Sequence, residues 1–246
     1  MIRLTLLLIF LSGSSGWADP VLQFKSAVSW TLDTPWFGGW SSIELGSNGT
    51  ELTIISDRGQ ILRADIERSS GGQTQITVRN TVRLKNERVG QSGKKSNDAE
   101  GLAIGPGGRA FISFEHAHRI MQVDLDTGKT CCRIVLPFTR NLQPNKGIEA
   151  LAINPDGLLH AIAERTPKGS ATFPLYRYAN DSWQIIAQIT KRGPFLPVGA
   201  DFDAAGRLWL LERAVTPVGF RNRIRLLTLT ADTVTERTIL TTLPGR

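Results

Sequence analysis

Two cysteines, two methionines, two tyrosines and three histidines in 246 residues leave several chemistries without material. The cysteines are adjacent, Cys131-Cys132 within KTCCRIVL. Neighbouring Cα atoms sit about 3.8 Å apart, closer than a disulfide normally spans. In a strand their side chains point to opposite faces, so a disulfide framework is excluded and two small, half-buried thiols are expected. His116, His118 and His160 make no zinc set. His160 reads as a packed mid-strand residue, while His116 and His118 follow Glu115 at a strand end, where they can touch a ligand. The chain has no G-x-S-x-G elbow, no Walker loop and no G-x-G-x-x-G placed between strand and helix. Charge is not segregated either. The net charge is +7, but its cations are scattered, with Gly93-Lys94-Lys95 the densest spot, which describes a solvated surface and no nucleic-acid footprint.

Long apolar runs are missing too. The N-terminal run Leu4 to Leu11 falls well short of the roughly 20 residues that span a bilayer, so no membrane anchor is expected. It follows Arg3 and precedes Gly16-Trp17-Ala18, the pattern of a secretory signal over residues 1–18. The expected mature chain, residues 19–246, is periplasmic or secreted and carries a net charge of +6 once Arg3 is lost.

Repetition is what the sequence does have. Four apolar-turn-apolar units stand out: SIELGSNGTELTIISDRG from Ser42, EGLAIGPGGRAFISFEH from Glu100, EALAINPDGLLHAIAER from Glu149 and GADFDAAGRLWLLER from Gly199. Their turn glycines Gly108, Gly157 and Gly206 are 49 residues apart, and Gly49 lies 59 before Gly108. Each hairpin is followed by two more strand-like runs, such as RIMQVDLDTG with KTCCRIVLPF and RIRLLTLT with TVTERTILTTL. Four strands per unit at this period predict an all-β propeller of four four-stranded blades beginning near Trp36. QFKSAVSWTL, Gln23 to Leu32, reads as an additional strand without a blade of its own.

In a hairpin the start of the first strand and the end of the second lie side by side. Glu100 and Glu115 therefore share one rim, as do Glu149 and Glu164. The pairs Asp57-Arg58, Glu164-Arg165 and Glu212-Arg213 are expected at the matching second-strand ends. Because first strands line a propeller's channel, these acids and arginines should converge on one mouth. Two readings of such a ring stay open. It can tie neighbouring blades through ion pairs, or it can be a site in which crowded carboxylates call for a cation. An oxygen-rich set favours Ca²⁺ if a metal is present.

FGGWSSIEL with IISDRG, NDAEGLAIGPGGRAFISFEHAHRI, NKGIEALAINPDG and LLERAVTPVGFRNRI together resemble the phytase-like family described as having esterase-like activity, from about Phe37 to Leu227. The resemblance implies an exported propeller that hydrolyses phosphoester or other ester bonds in small anionic or ester substrates, with Ca²⁺ as the expected cofactor. Carried over residue by residue, the expected catalytic groups are Glu100, Glu149 and Glu164. Arg58, Arg165, Arg213 and His116 are expected to bind substrate, and Asp57, Glu100, Glu115, Glu149 and Glu212 to hold the metal. A non-catalytic propeller that binds a ligand or envelope partner over the same face is the alternative. Members of the family typically continue into a further blade opened by a D-N-x-E-G-like motif, whereas this chain stops at TTLPGR. Gln23 to Leu32 would be the outer strand of such a blade. Without it, apolar residues such as Ile43, Ile54, Leu208 and Leu210 are expected to line the free blade faces.

Overall fold

The computed structural model describes residues 22, 24–70, 72–85, 98–116, 118–138, 147–166, 169–230 and 233–244. The signal segment 1–18 and the basic spot 93–95 lie outside them. Sixteen strands form four antiparallel sheets, each in simple chain order. Blade 1 holds β1 (Trp40–Leu45), β2 (Glu51–Ser56), β3 (Gln60–Arg68) and β4 (Thr74–Arg83). Blade 2 holds β5 (Ala99–Ile104), β6 (Ala110–Phe114), β7 (Arg119–Val123) and β8 (Thr130–Ile134). Blade 3 holds β9 (Ile148–Ile153), β10 (Leu159–Ala163), β11 (Thr172–Ala179) and β12 (Ser182–Thr190). Blade 4 holds β13 (Leu196–Phe202), β14 (Leu208–Thr216), β15 (Gly219–Leu229) and β16 (Val234–Thr241). The expected four-bladed propeller is what the chain forms, and no α-helix occurs among the described residues.

Burial sorts the strands by depth. The second strands AFISF and LHAIA are buried at every position, as befits strands covered on both faces. The outermost strand of blade 1, TQITVRNTVR, instead alternates residue by residue between partly buried and exposed positions. Between the first two strands of blades 3 and 4 the turn glycines Gly157 and Gly206 adopt φ of +78° and +74°, which explains their recurrence in the sequence.

Neighbouring blades meet through three apolar layers. Ile55, Ile61 and Leu84 pack with Leu102, Ile112 and Phe114 between blades 1 and 2. Phe111, Ile120 and Ile134 meet Ile148, Leu151 and Leu159 between blades 2 and 3. Ile162, Phe173 and Leu175 meet Leu208, Leu210 and Leu227 between blades 3 and 4. The first strands β1, β5, β9 and β13 pack in that order around the channel, and β13 does not pack on β1 in the same way.

The segment expected to be an additional strand is not one. Residues 24–32 have no strand pairing. Trp30 and Leu32, followed by Trp36, Phe37 and Trp40, instead lie across the free face of blade 1 over Leu52, Ile54, Leu62 and Ala64. Phe37 anchors this cap edge-on, with its ring centroid 5.2 Å from those of both Trp30 and Trp40. Aromatic area here overrides the alternation that suggested a strand. The cap does not reach the rest of β1, whose Ile43 and Leu45 stay 65% and 51% exposed. Blade 4 likewise leaves Leu211, Val215, Phe220 and Leu240 in solvent. Of the four residues expected on free faces, Ile43 is exposed, Ile54 is covered by the aromatic cap, and Leu208 and Leu210 belong to the layer between blades 3 and 4.

One junction sets how closely blades 2 and 3 approach. A Cβ on Gly101 would lie 2.8 Å from the Glu149 carbonyl oxygen and 2.7 Å from Ser113 Oγ. The same Ser113 hydroxyl accepts from Gly101 N at 2.8 Å and donates to the Ile148 carbonyl at 2.6 Å. In the preceding blade Ser42 has a related role, its Oγ accepting from Leu102 N at 3.0 Å. Gly101→Ala should therefore force two backbones apart and cost about 1–3 kcal/mol, the usual range for overpacking. A melting curve checks this, and an unchanged midpoint would show that the junction tolerates a methyl group.

Candidate active site

Every first hairpin carries a bulge at its channel-mouth end. The register shifts between Trp40 and Ser42, between Ala99 and Leu102, opposite Ile162 and Ala163, and between Pro197 and Gly199. The first-strand residues thereby left unmatched are Ser41, the pair Glu100-Gly101 facing Ser113, Glu149 and Val198. A bulge re-aims its side chain out of the ladder. In blades 2 and 3 the re-aimed side chain is a glutamate.

The ladder position above the bulge is also repeated. Asp57 N donates to the Gly39 carbonyl at 2.8 Å, Glu115 N to Asp98 O at 2.9 Å, and Glu164 N to Gly147 O at 3.1 Å. In blade 4 the matching residue is Arg213, opposite Leu196. The set is thus Asp57, Glu115, Glu164 and Arg213, one residue per blade at the same height. Close packing accompanies it. A Cβ on Gly39 would collide with the Asp57 carboxylate, and one on Gly147 would lie 3.3 Å from Glu115 Cγ.

These residues meet. The carboxyls of Asp57, Asp98, Glu115 and Glu149 all repel charge on Glu100, and Glu164 repels charge on Glu115. Arg213 reaches from blade 4 to the neighbouring blade 3, within 3.7 Å of Glu149 Oε2, and Arg58 Nε lies 3.8 Å from Asp57 Oδ1. His116, held at φ +56°, places Nε2 3.1 Å from Asp98 Oδ2. Ligand atoms of Asp98, Glu115 and His116 all lie within 4.8 Å of one another. Burial, reinforced by the four neighbouring carboxyls, lifts Glu100 to a pKa of about 8, so it holds a proton at neutral pH. With that proton it hydrogen-bonds Asp98. Burial also raises Asp98 and Glu115, opposed by His116 at the first and by the Gly147 N–H, 3.4 Å from Oε1, at the second.

Glu212 is not part of this cluster. It pairs with Pro197 in the ladder, level with Ser56, Phe114 and Ala163 and one step away from Asp57, Glu115 and Glu164. A one-residue offset turns a strand side chain to the opposite face, so Glu212 points into the blade. There it is fully buried, 2.6 Å from Arg223 Nε and 2.7 Å from Arg225 Nη2. Arg225 continues to Glu236 at 2.7 Å and to the Thr190 carbonyl at 3.0 Å, tying blade 4 to the end of blade 3. The alignment of Glu212-Arg213 with Asp57-Arg58 and Glu164-Arg165 is thus one residue out of step. Arg165 is exposed just beyond β10, and His160 is packed against the Phe202 ring at 4.8 Å with its pKa lowered by burial to about 4.

Asp98 is the residue that sequence reasoning missed. It sits in the NDAEG stretch already singled out, two positions before Glu100, which is where the hairpin ladder places the partner of Glu115.

The profile of phytase-like proteins, described as esterase-like activity of phytase, matches residues 35–243. A search of curated protein sequences gives no match. Among solved structures the chain is similar to the WD40 repeats of RRP9, at 9% identity and a TM-score of 0.47, over 80% of this chain and 50% of that one. It is similar to a Lactobacillus plantarum protein at 17% identity and 0.45, over 83% and 55%. A Xanthomonas campestris gluconolactonase follows at 14% identity and 0.42, over 80% and 60%. The chain spans about half the length of the first of these propellers.

Two glutamates of one sequence should respond to mutation with opposite signs. Glu100 is protonated in the folded state up to about pH 8 but ionises near 4.5 when unfolded. The folded form thus binds the extra proton between those values, and stability falls as pH rises across the window. Glu100→Gln should flatten that fall and raise the melting temperature at pH 8 in metal-free buffer. Glu212→Ala strands two buried guanidiniums and should cost about 3–5 kcal/mol. Melting curves of both variants from pH 5 to 9 test this, and a Glu100→Gln curve parallel to the parent would remove the assignment.

Proposed function

The chain belongs to the phytase-like family, and from that membership we propose that it is an exported propeller hydrolase of phosphoester or other ester substrates, working at the carboxylate mouth of blades 1 to 3. One observation supports this most: six carboxyls, Asp57, Asp98, Glu100, Glu115, Glu149 and Glu164, gather at one channel end with Arg213 and Arg58 at its edge. A ring of structural ion pairs would match these acids with bases. Here burial, reinforced by the neighbouring acids, instead keeps a proton on Glu100.

Roles follow from position. Arg213 and Arg58 orient an anionic ester through charge-assisted hydrogen bonds. Glu100 carries a proton near neutral pH and can deliver it to a leaving oxygen, which is what a general acid requires. Glu149, aligned by Arg213, and Glu164, at the end of β10, are placed to take a proton from attacking water. His116 holds Asp98 in orientation.

The donor set fits a hard dication such as Ca²⁺. Asp98 and Glu115 supply clustered oxygens, and His116 serves as their support because calcium favours oxygen over imidazole. Bound there, the ion would polarise the ester and neutralise developing negative charge.

The test is hydrolysis by purified protein, with and without millimolar calcium, on a phosphomonoester and a carboxylester series, alongside thermal melts. Calcium should raise the melting temperature and support turnover, and Glu100→Gln should lower kcat about 10²–10⁴-fold, the usual weight of a general acid. Calcium stabilisation without turnover on either series would sink the hydrolase reading in favour of a ligand-binding propeller.

A further inference from the structure

Away from the mouth, on the outermost strand of blade 2, the adjacent cysteines do something that a regular strand forbids. In β8 the register with β7 shifts between Ile120 and Gln122, so Cys132-Arg133 together oppose Met121. Cys132 takes a left-handed φ of +54°. A residue with a Cβ adopts that conformation at a cost of order 1 kcal/mol, and such strain tends to mark functional positions. The bend cancels the alternation of side chains. Both thiols are solvent-exposed on one side, and Cys132 Sγ–H donates to Cys131 Sγ at 2.8 Å. The expectation of half-buried thiols on opposite faces is thus overturned by one backbone dihedral.

The surroundings add a binding surface. Cys132 lines a groove of about 430 Å³ between blades 2 and 3, shared with Arg109, Arg133, Tyr178 and Asp181. Two guanidiniums beside an exposed thiol favour an approaching anion, and Asp181 is engaged by the Tyr178 hydroxyl at 3.1 Å.

We propose that Cys131 and Cys132 are a dithiol–disulfide redox site that exchanges with small anionic disulfides of the glutathione type. The Cys132 thiolate attacks one sulfur of the disulfide, forming a mixed disulfide and releasing one thiol. The Cys131 thiolate then attacks Cys132 Sγ, closing a ring between adjacent residues and releasing the second thiol. Two protons leave the protein, and its two electrons reside in the two released thiols. Adjacent Cα atoms are closer than disulfides prefer, so the ring is strained and readily reduced. This places it among labile, regulatory disulfides and outside the structural class. The site is independent of the hydrolytic reading, since neither cysteine contributes to the mouth.

Trypsin cuts after Lys129 and Arg133, leaving both cysteines on the tetrapeptide Thr130–Arg133. Reduced protein is incubated with glutathione disulfide, alkylated, digested and weighed. The tetrapeptide should appear two hydrogens lighter and unalkylated, with two glutathione thiols released per chain, and dithiothreitol should restore two alkylatable thiols. In Cys131→Ser the ring cannot close, so a stable glutathione adduct should accumulate on Cys132 while the melting temperature stays near that of the parent. Persistent glutathione on both cysteines of the parent, disulfide-linked dimers, or two alkylated thiols after oxidation would each overturn the proposal.

Discussion

Gly101 lacks a side chain because the carbonyl of Glu149 occupies the space a Cβ would need. From that contact follows most of what the channel mouth does. Inner strands this close can be stapled by a single hydroxyl, Ser113, whose two hydrogen bonds satisfy a donor and an acceptor that water could not reach. The residues at the same height in the other blades, Ser42, Ala150 and Gly199, are small as well. In each blade the residue just before the small one is left out of the ladder. In blades 2 and 3 the side chains left out of the ladder, Glu100 and Glu149, lie close enough to repel one another. Crowding of charge is therefore a consequence of backbone packing, and the acids need only be supplied at positions that already converge.

Two electrostatic solutions coexist within the same molecule. Glu212 is buried beside two guanidiniums, a charge-paired network that holds blade 4 against blade 3. Glu100 is half-buried among carboxyls and answers by keeping its proton. In the first arrangement each buried charge has an opposite charge beside it. The second raises the energy of the fold, and folded proteins tolerate such arrangements mainly where they bind or react. The contrast separates scaffold from site more sharply than residue type or burial does.

The propeller was legible because its periods are long and repeated: sixteen strands fall where hairpins and glycine turns predict them. The mouth was legible in outline, since hairpin geometry alone brings Glu100 to Glu115 and Glu149 to Glu164. Three things were not. Glu212 required the register, and a dipeptide match cannot reveal a one-residue slip. Gln23 to Leu32 alternates like a strand, yet its tryptophan and leucine gain more by capping the apolar face of blade 1 than by pairing. The cysteine pair required a left-handed dihedral that no periodicity encodes.

All four blades bulge at the same height, and only two of the bulges hold glutamate. Ser41 and Val198 occupy the others, likewise relieved of ladder duties. A single substitution at either would alter the charge and breadth of the mouth without disturbing an interblade layer. Chemical diversification in such a molecule is thus cheap in evolutionary terms, because the scaffold keeps vacant seats at the place where reactivity is decided.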